Sequence, residues 1–431
     1  MRQLFGTDGI RGKARQYPLD EPTMVRLGYA LAHRFPGKIL LGRDTRESGP
    51  MIAGALAAGL RAGGAEPVAV GVIPTPGIAY LCRMTDAVAA ISISASHNPW
   101  EDNGVKIFGH DGMKLADAIE LEIERDLERA EVSVASEENA EESPELIEQY
   151  ERFLIRGIPP AGLKGRKVVL DTGHGAAYRI APEVFRRAGA DVVVIHDAPD
   201  GRNINENAGA LHPERLAQVV VEQQADYGVA FDGDADRAIF SDDAGKIRDG
   251  DEIIYLWARH EKLPLVVTTV MSNFGFEKQL KADGIELLRA NVGDKYVLEQ
   301  MLERDALLGG EQSGHIIDRK EHTTGDGIHT ALVFGHILVE MAQPFSKLHT
   351  FDPMPQLLLN EKVASKPPLD SLREYQAAHA AALEELNGRG RILVRYSGTE
   401  NLVRVMVEGE DDAQIRKIAE ELRAVLKAEI G

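Results

Sequence analysis

Four short stretches of the chain carry residue types whose spacing suits chemistry. In the first, an apolar run from Val88 to Ile91 leads into Ser92-Ile93-Ser94-Ala95-Ser96-His97-Asn98-Pro99. A strand there delivers a hydroxyl into a tight polar turn. The small residues at 94 to 96 admit a bulky anion, and Asn98, placed before a proline, is biased away from helix. Ser96 in such a turn is a nucleophile, a phosphate carrier or a plain turn cap. A hydrolase-type pairing of Ser96 with His97 is not expected, because neighbours in an extended segment point apart, and no Gly-x-Ser-x-Gly elbow occurs. In the second stretch, Tyr227 to Phe231 runs into Asp232-Gly233-Asp234-Ala235-Asp236-Arg237. If the segment stays extended, alternation places Asp232, Asp234 and Asp236 on one side. Three carboxylates that close repel one another unless a cation neutralises them, and oxygen-only ligands favour a hard ion such as Mg²⁺. An EF-hand is excluded, since Arg237 stands where that loop needs glycine.

The third stretch, Gly309-Gly310-Glu311-Gln312-Ser313-Gly314-His315, presents carboxylate, hydroxyl and imidazole between glycines. Such a set suits a polyhydroxylated ligand, whose OH groups both donate and accept. In the fourth, Arg395 and Arg404 flank Ser397-Gly398-Thr399; backbone N–H groups and two hydroxyls can encircle a phosphate while the guanidiniums supply bidentate charge. It is neither a Walker loop nor a dinucleotide fingerprint. This cationic loop is a local exception in a chain of 431 residues with 68 acidic against 49 basic side chains and a formal charge of −19. Such a balance argues against a nucleic-acid partner, which needs a cationic footprint. The single cysteine, Cys82, cannot close an intramolecular disulfide, and no Cys or His cluster has zinc spacing, so the reducing cytoplasm is the expected location. The first residues lack a signal-peptide core and nowhere do about 18 apolar residues run together, so neither export nor a membrane span is expected.

The elements that must position these loops repeat. One block, an apolar run ending in a polar turn, an amphipathic helix, a small-residue break and another apolar run, occurs three times. It runs from Ile39-Leu40-Leu41 through a helix at about 50 to 62 into Val68-Ala69-Val70, from Lys167 to Asp171 through about 178 to 188 into Val192 to Ile195, and from Leu265 to Thr269 through about 275 to 282 into Ile285 to Leu288. Strands alternating with helices predict largely parallel, doubly covered sheets. Past Pro353, Pro355 and Pro367-Pro368 the pattern changes to a strand at Arg391 to Arg395, a second at Leu402 to Val407, and a last helix behind Asp411-Asp412. A Glu-rich stretch, about 131 to 151, reads as a solvated helix face and linker. The expected fold is α/β: three related mixed α/β domains plus a C-terminal α+β domain around a central cleft. Their expected bounds are 1–145 with the serine loop, 155–246 with the aspartate loop, 247–352 with the Glu311 loop, and 358–431 with the arginine loop.

In this order, Phe5-Gly6-Thr7-Asp8-Gly9-Ile10-Arg11-Gly12, Ser96-His97-Asn98-Pro99, Asp232 to Arg237, Glu311 to His315 and Arg395 to Arg404 resemble the motifs of the α-D-phosphohexomutases. The resemblance covers nearly the whole chain. Within the family it is greatest to the bacterial branch acting on glucosamine phosphates, on Phe5 to Gly12, Gly310 to His315 and Thr323-Thr324-Gly325-Asp326-Gly327-Ile328. It implies an isomerase that interconverts glucosamine 6-phosphate and glucosamine 1-phosphate for amino-sugar cell-wall precursors. Ser96 would rest as phosphoserine, a sugar 1,6-bisphosphate would be intermediate and activator, and one Mg²⁺ would sit on Ser96, Asp232, Asp234 and Asp236. Lys106 would be the general acid/base, with its pKa depressed by Arg11 and Arg237, and His97 would orient the serine loop. Arg237, Glu311, Ser313 and His315 would hold the sugar, and Arg395, Ser397, Gly398, Thr399 and Arg404 the phosphate that is not reacting. Two other readings stay open: the same reaction on glucose or mannose phosphates, and a metal-dependent serine phosphatase that uses the same serine and carboxylates. The implied partner is a small hexosamine phosphate, without nucleic acid or membrane, for a monomer or homodimer.

Overall fold

The runs Ile39 to Leu41, Val168 to Leu170 and Val266 to Val267 become central strands because they are buried on both faces, where such side chains pack a pleated surface well. The computed structural model describes residues 4–6, 8–132, 134–135, 142–397 and 401–431. These fall into a larger unit, Met1–Thr269 with Ala290–His349, and a smaller one, Val270–Arg289 with Thr350–Gly431.

In the larger unit the first sheet runs in the order Phe5–Gly6, Gly9–Lys13, Asp102–Gly109, Ala89–Ile93, Lys38–Arg43, Glu66–Val72. Helical crossovers make Lys38–Arg43 parallel to both Glu66–Val72 and Ala89–Ile93. After Ile93 the chain turns back over 94–101, too short a path for a crossover, so Asp102–Gly109 pairs antiparallel with Ala89–Ile93. The second sheet repeats the device. Lys167–Asp171 is parallel to Asp191–Ile195 and Tyr227–Phe231, and the chain then turns at 232–237 into antiparallel Ala238–Asp242. In the third, Leu265–Thr269 is parallel to Leu308–Gly310, which turns at 311–315 into antiparallel Ile316–Asp318. The expectation of largely parallel sheets is therefore corrected: each parallel core ends in a hairpin, and each hairpin turn carries one of the motif loops.

Helices cover these sheets near the expected places, at Gly49–Ala62 and Ile180–Arg187. Glu21–Arg34 starts at Asp20, whose carboxylate accepts from Thr23 N at 3.0 Å, a side-chain cap that satisfies an otherwise orphaned N–H. It packs so tightly on Gly49–Ala62 that a Cβ at Gly59 would stand 2.0 Å from the Val25 carbonyl oxygen. The Glu-rich stretch is only partly solvated. Residues 133 and 136–141 lie outside those described, but Pro144–Arg156 is a helix that buries Tyr150, Phe153 and Leu154.

The smaller unit is built on an antiparallel sheet in the order Gln356–Lys362, Leu402–Gly409, Gly390–Tyr396. Val403, Val405 and Val407 alternate inward against Ile415, Ile418, Leu422 and Leu426 of the helix Asp412–Ile430. That helix is capped by Asp411, which accepts from Ala413 N and Gln414 N. The strand Gln356–Lys362 and the helix Arg373–Leu386 are absent from the sequence reading, because flanking prolines give that stretch the look of a linker. The helix Phe274–Ala282 also groups with this unit: Arg391 donates to the carbonyls of Val270 at 2.8 Å and Ser272 at 3.0 Å, and Phe274 N donates to Glu408 at 3.1 Å. Among the described residues, no helix is long and apolar enough to cross a membrane.

Gly59→Val is expected to push the two helices apart and lower stability by about 1–3 kcal/mol, the usual range for overpacking. Thermal or denaturant unfolding checks this, with an unchanged midpoint as the contrary result.

Candidate active site

The aspartate loop does not continue its strand. Tyr227–Phe231 ends, Ala235 N donates back to Asp232 O at 3.0 Å, and Ala235 takes φ +54°. The three aspartates converge through this tight turn, not through extended alternation, which corrects the sequence expectation. Carboxylate oxygens of Asp232, Asp234 and Asp236 lie within 4.8 Å of one another and are buried. Asp234 Oδ2 accepts from Thr75 Oγ1 at 2.7 Å and Lys106 Nζ at 2.9 Å. Asp234 Oδ1 and Asp236 Oδ1 are buried with no hydrogen-bond partner. Orphaned anionic oxygens grouped this closely fit a hard divalent cation, so the triad could hold one. Burial, followed by Asp236 and Asp234, pushes the Asp232 carboxyl well above the usual carboxylate range. Burial also opposes the charge on Asp236, but Lys106, His315 and Arg237 more than offset it and hold that group well below the range.

The serine loop lies directly against this turn. Ser96 Oγ donates to Asp232 Oδ2 at 2.6 Å. A Cβ on Gly233 would stand 2.5 Å from the Ser96 carbonyl oxygen, so only glycine allows the approach. Ser96 adopts φ +53°, and the loop is therefore not extended. This left-handed residue swings the next side chain round, and His97 Nδ1 comes to 3.2 Å from Ser96 Oγ, against the expectation that the two point apart. Arg237 Nη1 donates to the same Nδ1 at 3.2 Å, so that nitrogen is an acceptor. Burial, then the charges of Arg237 and Arg11, lowers the His97 pKa to about 4. Beneath the loop lies fully buried Arg46, paired with Asp44 and donating to the carbonyls of Ser96, at 3.1 Å, and Asn98. Asn205 Nδ2 donates to the same two carbonyls at 3.0 and 3.2 Å. Neither brace was found from sequence; nothing in local spacing marks them.

Lys106 stands on the returning strand, in register with Ser92, and is 1% exposed. Its Nζ lies 2.9 Å from Asp234, 3.4 Å from Asp236 and 3.3 Å from Asp8. Burial alone would lower its pKa, but Asp234, Asp8 and Asp236 together raise it well above the ordinary lysine value. The expected depression by Arg11 and Arg237 is thus overturned. Arg11 pairs with Asp8 and its Nη1 reaches the Ala95 carbonyl at 3.3 Å, while Arg237 is turned to His97 and Asp236. Asp8 also pairs with Lys114, which lies 2.7 Å from Asp294. Asp8, Lys114 and Asp294 were not singled out from sequence as site residues, although Asp8 lies within the Phe5 to Gly12 motif.

From the third hairpin, Glu311 Oε1 accepts from Gly293 N at 3.2 Å, and Ser313 is exposed. His315 is buried, with Nδ1 3.7 Å from Asp236 and Nε2 3.6 Å from Asp294. Burial opposes a charge on this ring and the two aspartates favour one. Gly325 N lies 2.9 Å from Nε2, and the two aspartates prevail over burial and raise the ring's pKa. Ser96, His97, Arg11, Lys106, the three aspartates, Arg237 and His315 are thus one contiguous polar cluster.

In the smaller unit, Arg395 and Arg404 face each other directly across the antiparallel ladder. Like charges in that register repel; burial and then Arg404 lower the Arg395 pKa. Ser397 follows at the turn, and its carbonyl accepts from Lys366 Nζ at 2.8 Å, a third cation not found from sequence. Gly398 and Thr399 lie outside the described residues.

The chain matches phosphoglucomutase/phosphomannomutase alpha/beta/alpha domains I over residues 2–133, II over 148–245 and III over 249–353, and the C-terminal domain over 358–425. It is 47% identical over 445 residues to a phosphoglucosamine mutase of Solibacter usitatus, covering 100% of this chain and 99% of that one. It is 47% identical over 448 residues to a phosphoglucosamine mutase of Pseudomonas savastanoi pv. phaseolicola, with the same coverage. A phosphoglucomutase/phosphomannomutase family protein from Burkholderia thailandensis superposes with a TM-score of 0.81 at 24% identity, over 98% of this chain and 97% of the other, and so shares the fold.

The carboxylate cluster sets a pH dependence. In the cation-free protein the raised Asp232 keeps a proton that the unfolded chain loses above about pH 4. The folded state then binds more protons, and this group's contribution to stability falls as pH rises from about 4 towards its folded value. Thermal unfolding in chelator should show that slope flattened in Asp232→Asn, and added divalent cation should raise the wild-type midpoint more at about pH 8 than at about pH 5. Parallel slopes in the two proteins would contradict the raised carboxyl.

Proposed function

This chain belongs to the phosphoglucomutase/phosphomannomutase family, and from that membership we propose that it interconverts glucosamine 6-phosphate and glucosamine 1-phosphate. The route is a phosphoserine at Ser96 and a glucosamine 1,6-bisphosphate intermediate. The observation that carries the reading is the 2.6 Å hydrogen bond from Ser96 Oγ to Asp232 beside two orphaned carboxylate oxygens. A serine placed there can be phosphorylated only if the charge beside it is neutralised. The choice of glucosamine phosphates rests on relatives of that name at 42–47% identity over the whole chain.

On this reading Asp232, Asp234, Asp236 and an oxygen on Ser96 hold one Mg²⁺, which supplies charge neutralisation for the transferring group. Phosphoryl transfer otherwise needs mainly positioning. The free hydroxyl of the bound sugar phosphate bonds to phosphorus as the Ser96 Oγ–P bond breaks. Lys106, flanked by Asp8 as well as by Asp234 and Asp236, gives a proton to Ser96 Oγ and takes the hydroxyl proton, so charge and protons balance. The bisphosphate then presents its other end, and the same step in reverse returns that phosphate to Ser96. His97 accepts from Arg237 and so orients the loop without acting as a base. Glu311 and Ser313 take sugar hydroxyls, with Arg237 and His315 at the same face. Arg395, Ser397, Gly398, Thr399 and Arg404 take the idle phosphate. Cys82 takes no part: it is buried, donates to the Gly109 carbonyl at 3.2 Å and has its thiol pushed up to about 12 by burial. We place the reaction in the cytoplasm.

Phosphorus NMR of the Mg²⁺-loaded protein with glucosamine, glucose or mannose 6-phosphate, each with a trace of its bisphosphate, tests the proposal. The expected result is 1-phosphate mainly from glucosamine, lost in Ser96→Ala with the unfolding midpoint unchanged. Faster turnover of glucose or mannose would move the chain to that branch, and inorganic phosphate as main product would replace a mutase by a phosphatase.

A further inference from the structure

The turn Val292-Gly293-Asp294 touches two parts of the site at once. Its backbone holds the Glu311 carboxylate, through Gly293 N at 3.2 Å with Gly293 at φ +129°. Its next side chain ends a line of alternating charges that starts at the metal-fitting aspartates. From Asp234 and Asp236 the line runs to Lys106 at 2.9 and 3.4 Å, to Asp8 at 3.3 Å, to Lys114, and to Asp294 at 2.7 Å. Each internal member has an opposite charge on both sides. That is the condition under which buried charges are tolerated, since each desolvated ion needs full compensation. Asp294 and Lys114 each keep 16% of their side-chain surface, so neither charge is screened freely by water. Burial opposes the charge on Asp294, but Lys114 and His315 hold its carboxyl below the ordinary range.

Resting on the mutase reading above, we infer that Asp294 is a positioning residue: through Lys114 and Asp8 it fixes Lys106 relative to the sugar-holding Glu311. The physical reason lies in the cation site. Once Asp234 and Asp236 share their charge with a divalent cation, Asp8 becomes the main anion on Lys106. Asp8 is divided between Lys106, Lys114 and Arg11. Without Asp294, Lys114 is left with Asp8 alone and draws it away from Lys106. Because the same turn carries Gly293, the position of the proton carrier and the position of the sugar carboxylate are set by one piece of backbone. Removing the charge of Asp294 leaves the Gly293 N–H in place, so sugar binding and proton delivery separate.

Asp294→Asn tests this on the Mg²⁺-loaded full chain with glucosamine 6-phosphate and its bisphosphate. The expected loss is about 10- to 100-fold in kcat, the scale of a misplaced reacting group, with KM within about twofold of wild type. Asp294→Glu should restore part of kcat. Lys114→Gln combined with Asp294→Asn should lose no more than the worse single variant, because both act along one line. A kcat unchanged in Asp294→Asn, a loss confined to KM, multiplicative losses, or a loss that follows a lowered unfolding midpoint would overturn the inference. Wild-type turnover in the same assay tests the mutase reading separately. If wild type turned over none of the hexose phosphates, the line itself is still read by ¹⁵N NMR of lysine Nζ-labelled protein. Asp294→Asn should shift the ammonium signal that Lys106→Arg removes, and an unmoved signal would overturn the inference without reference to activity.

Discussion

Burying Asp232, Asp234 and Asp236 together is costly, and no single neighbour offsets it. A buried carboxylate stays charged only beside a cation or strong donors, and three at this spacing compete for the same ones. The surroundings answer in layers. Lys106 and Arg237 compensate Asp234 and Asp236, Thr75 donates to Asp234, and burial beside the other two carboxylates pushes the Asp232 carboxyl up. The orphaned oxygens that remain leave a place a hard ion would fit. The line through Asp8, Lys114 and Asp294 is the outer layer of the same compensation, because a fully buried lysine needs its own counter-charge.

The serine loop is placed by that cluster and braced against strain. Ser96 and Ala235, both in left-handed backbone, are the two residues whose turns bring Oγ to Asp232. Such a conformation costs a non-glycine residue free energy and persists only where surrounding contacts over-determine it. Here Arg46 and Asn205 hold the Ser96 and Asn98 carbonyls from one side, and Arg11 holds the Ala95 carbonyl from another. On the proposed reading, a rigid cradle suits a serine that would present the same oxygen to phosphorus in both directions of a reversible transfer.

A single topological habit explains where the loops stand. A crossover helix returns a parallel strand, and a short turn returns an antiparallel one. In each of the three sheets of the larger unit the last parallel strand is followed by a hairpin, and the turn of that hairpin carries one of the motif loops: 94–101, 232–237 and 311–315. The smaller unit uses a hairpin too, between Gly390–Tyr396 and Leu402–Gly409, and its register sets Arg395 opposite Arg404. Two guanidiniums set opposite each other in a sheet repel, and an anion would relieve that repulsion.

The motif loops, the threefold repeat, the α+β tail and the grouping of three aspartates were legible in the amino-acid sequence, because local spacing and hydropathy carry them. The hairpins were not, since periodicity marks a strand without saying which way its neighbour runs. Extended alternation at 232–237 and the divergence of Ser96 from His97 were read wrongly for one reason: a left-handed residue inside a turn leaves no trace in spacing when it is serine or alanine. Arg46, Asn205, Asp8, Lys114 and Asp294 gain their meaning only from partners far along the chain, as in Lys114 with Asp294 or Asn205 with Ser96. By itself the sequence determined which groups the protein has for chemistry and on which loops. The tertiary structure alone decided which of them share a charge, because compensation between buried ions depends on distances of a few ångströms that sheet order, not sequence order, sets.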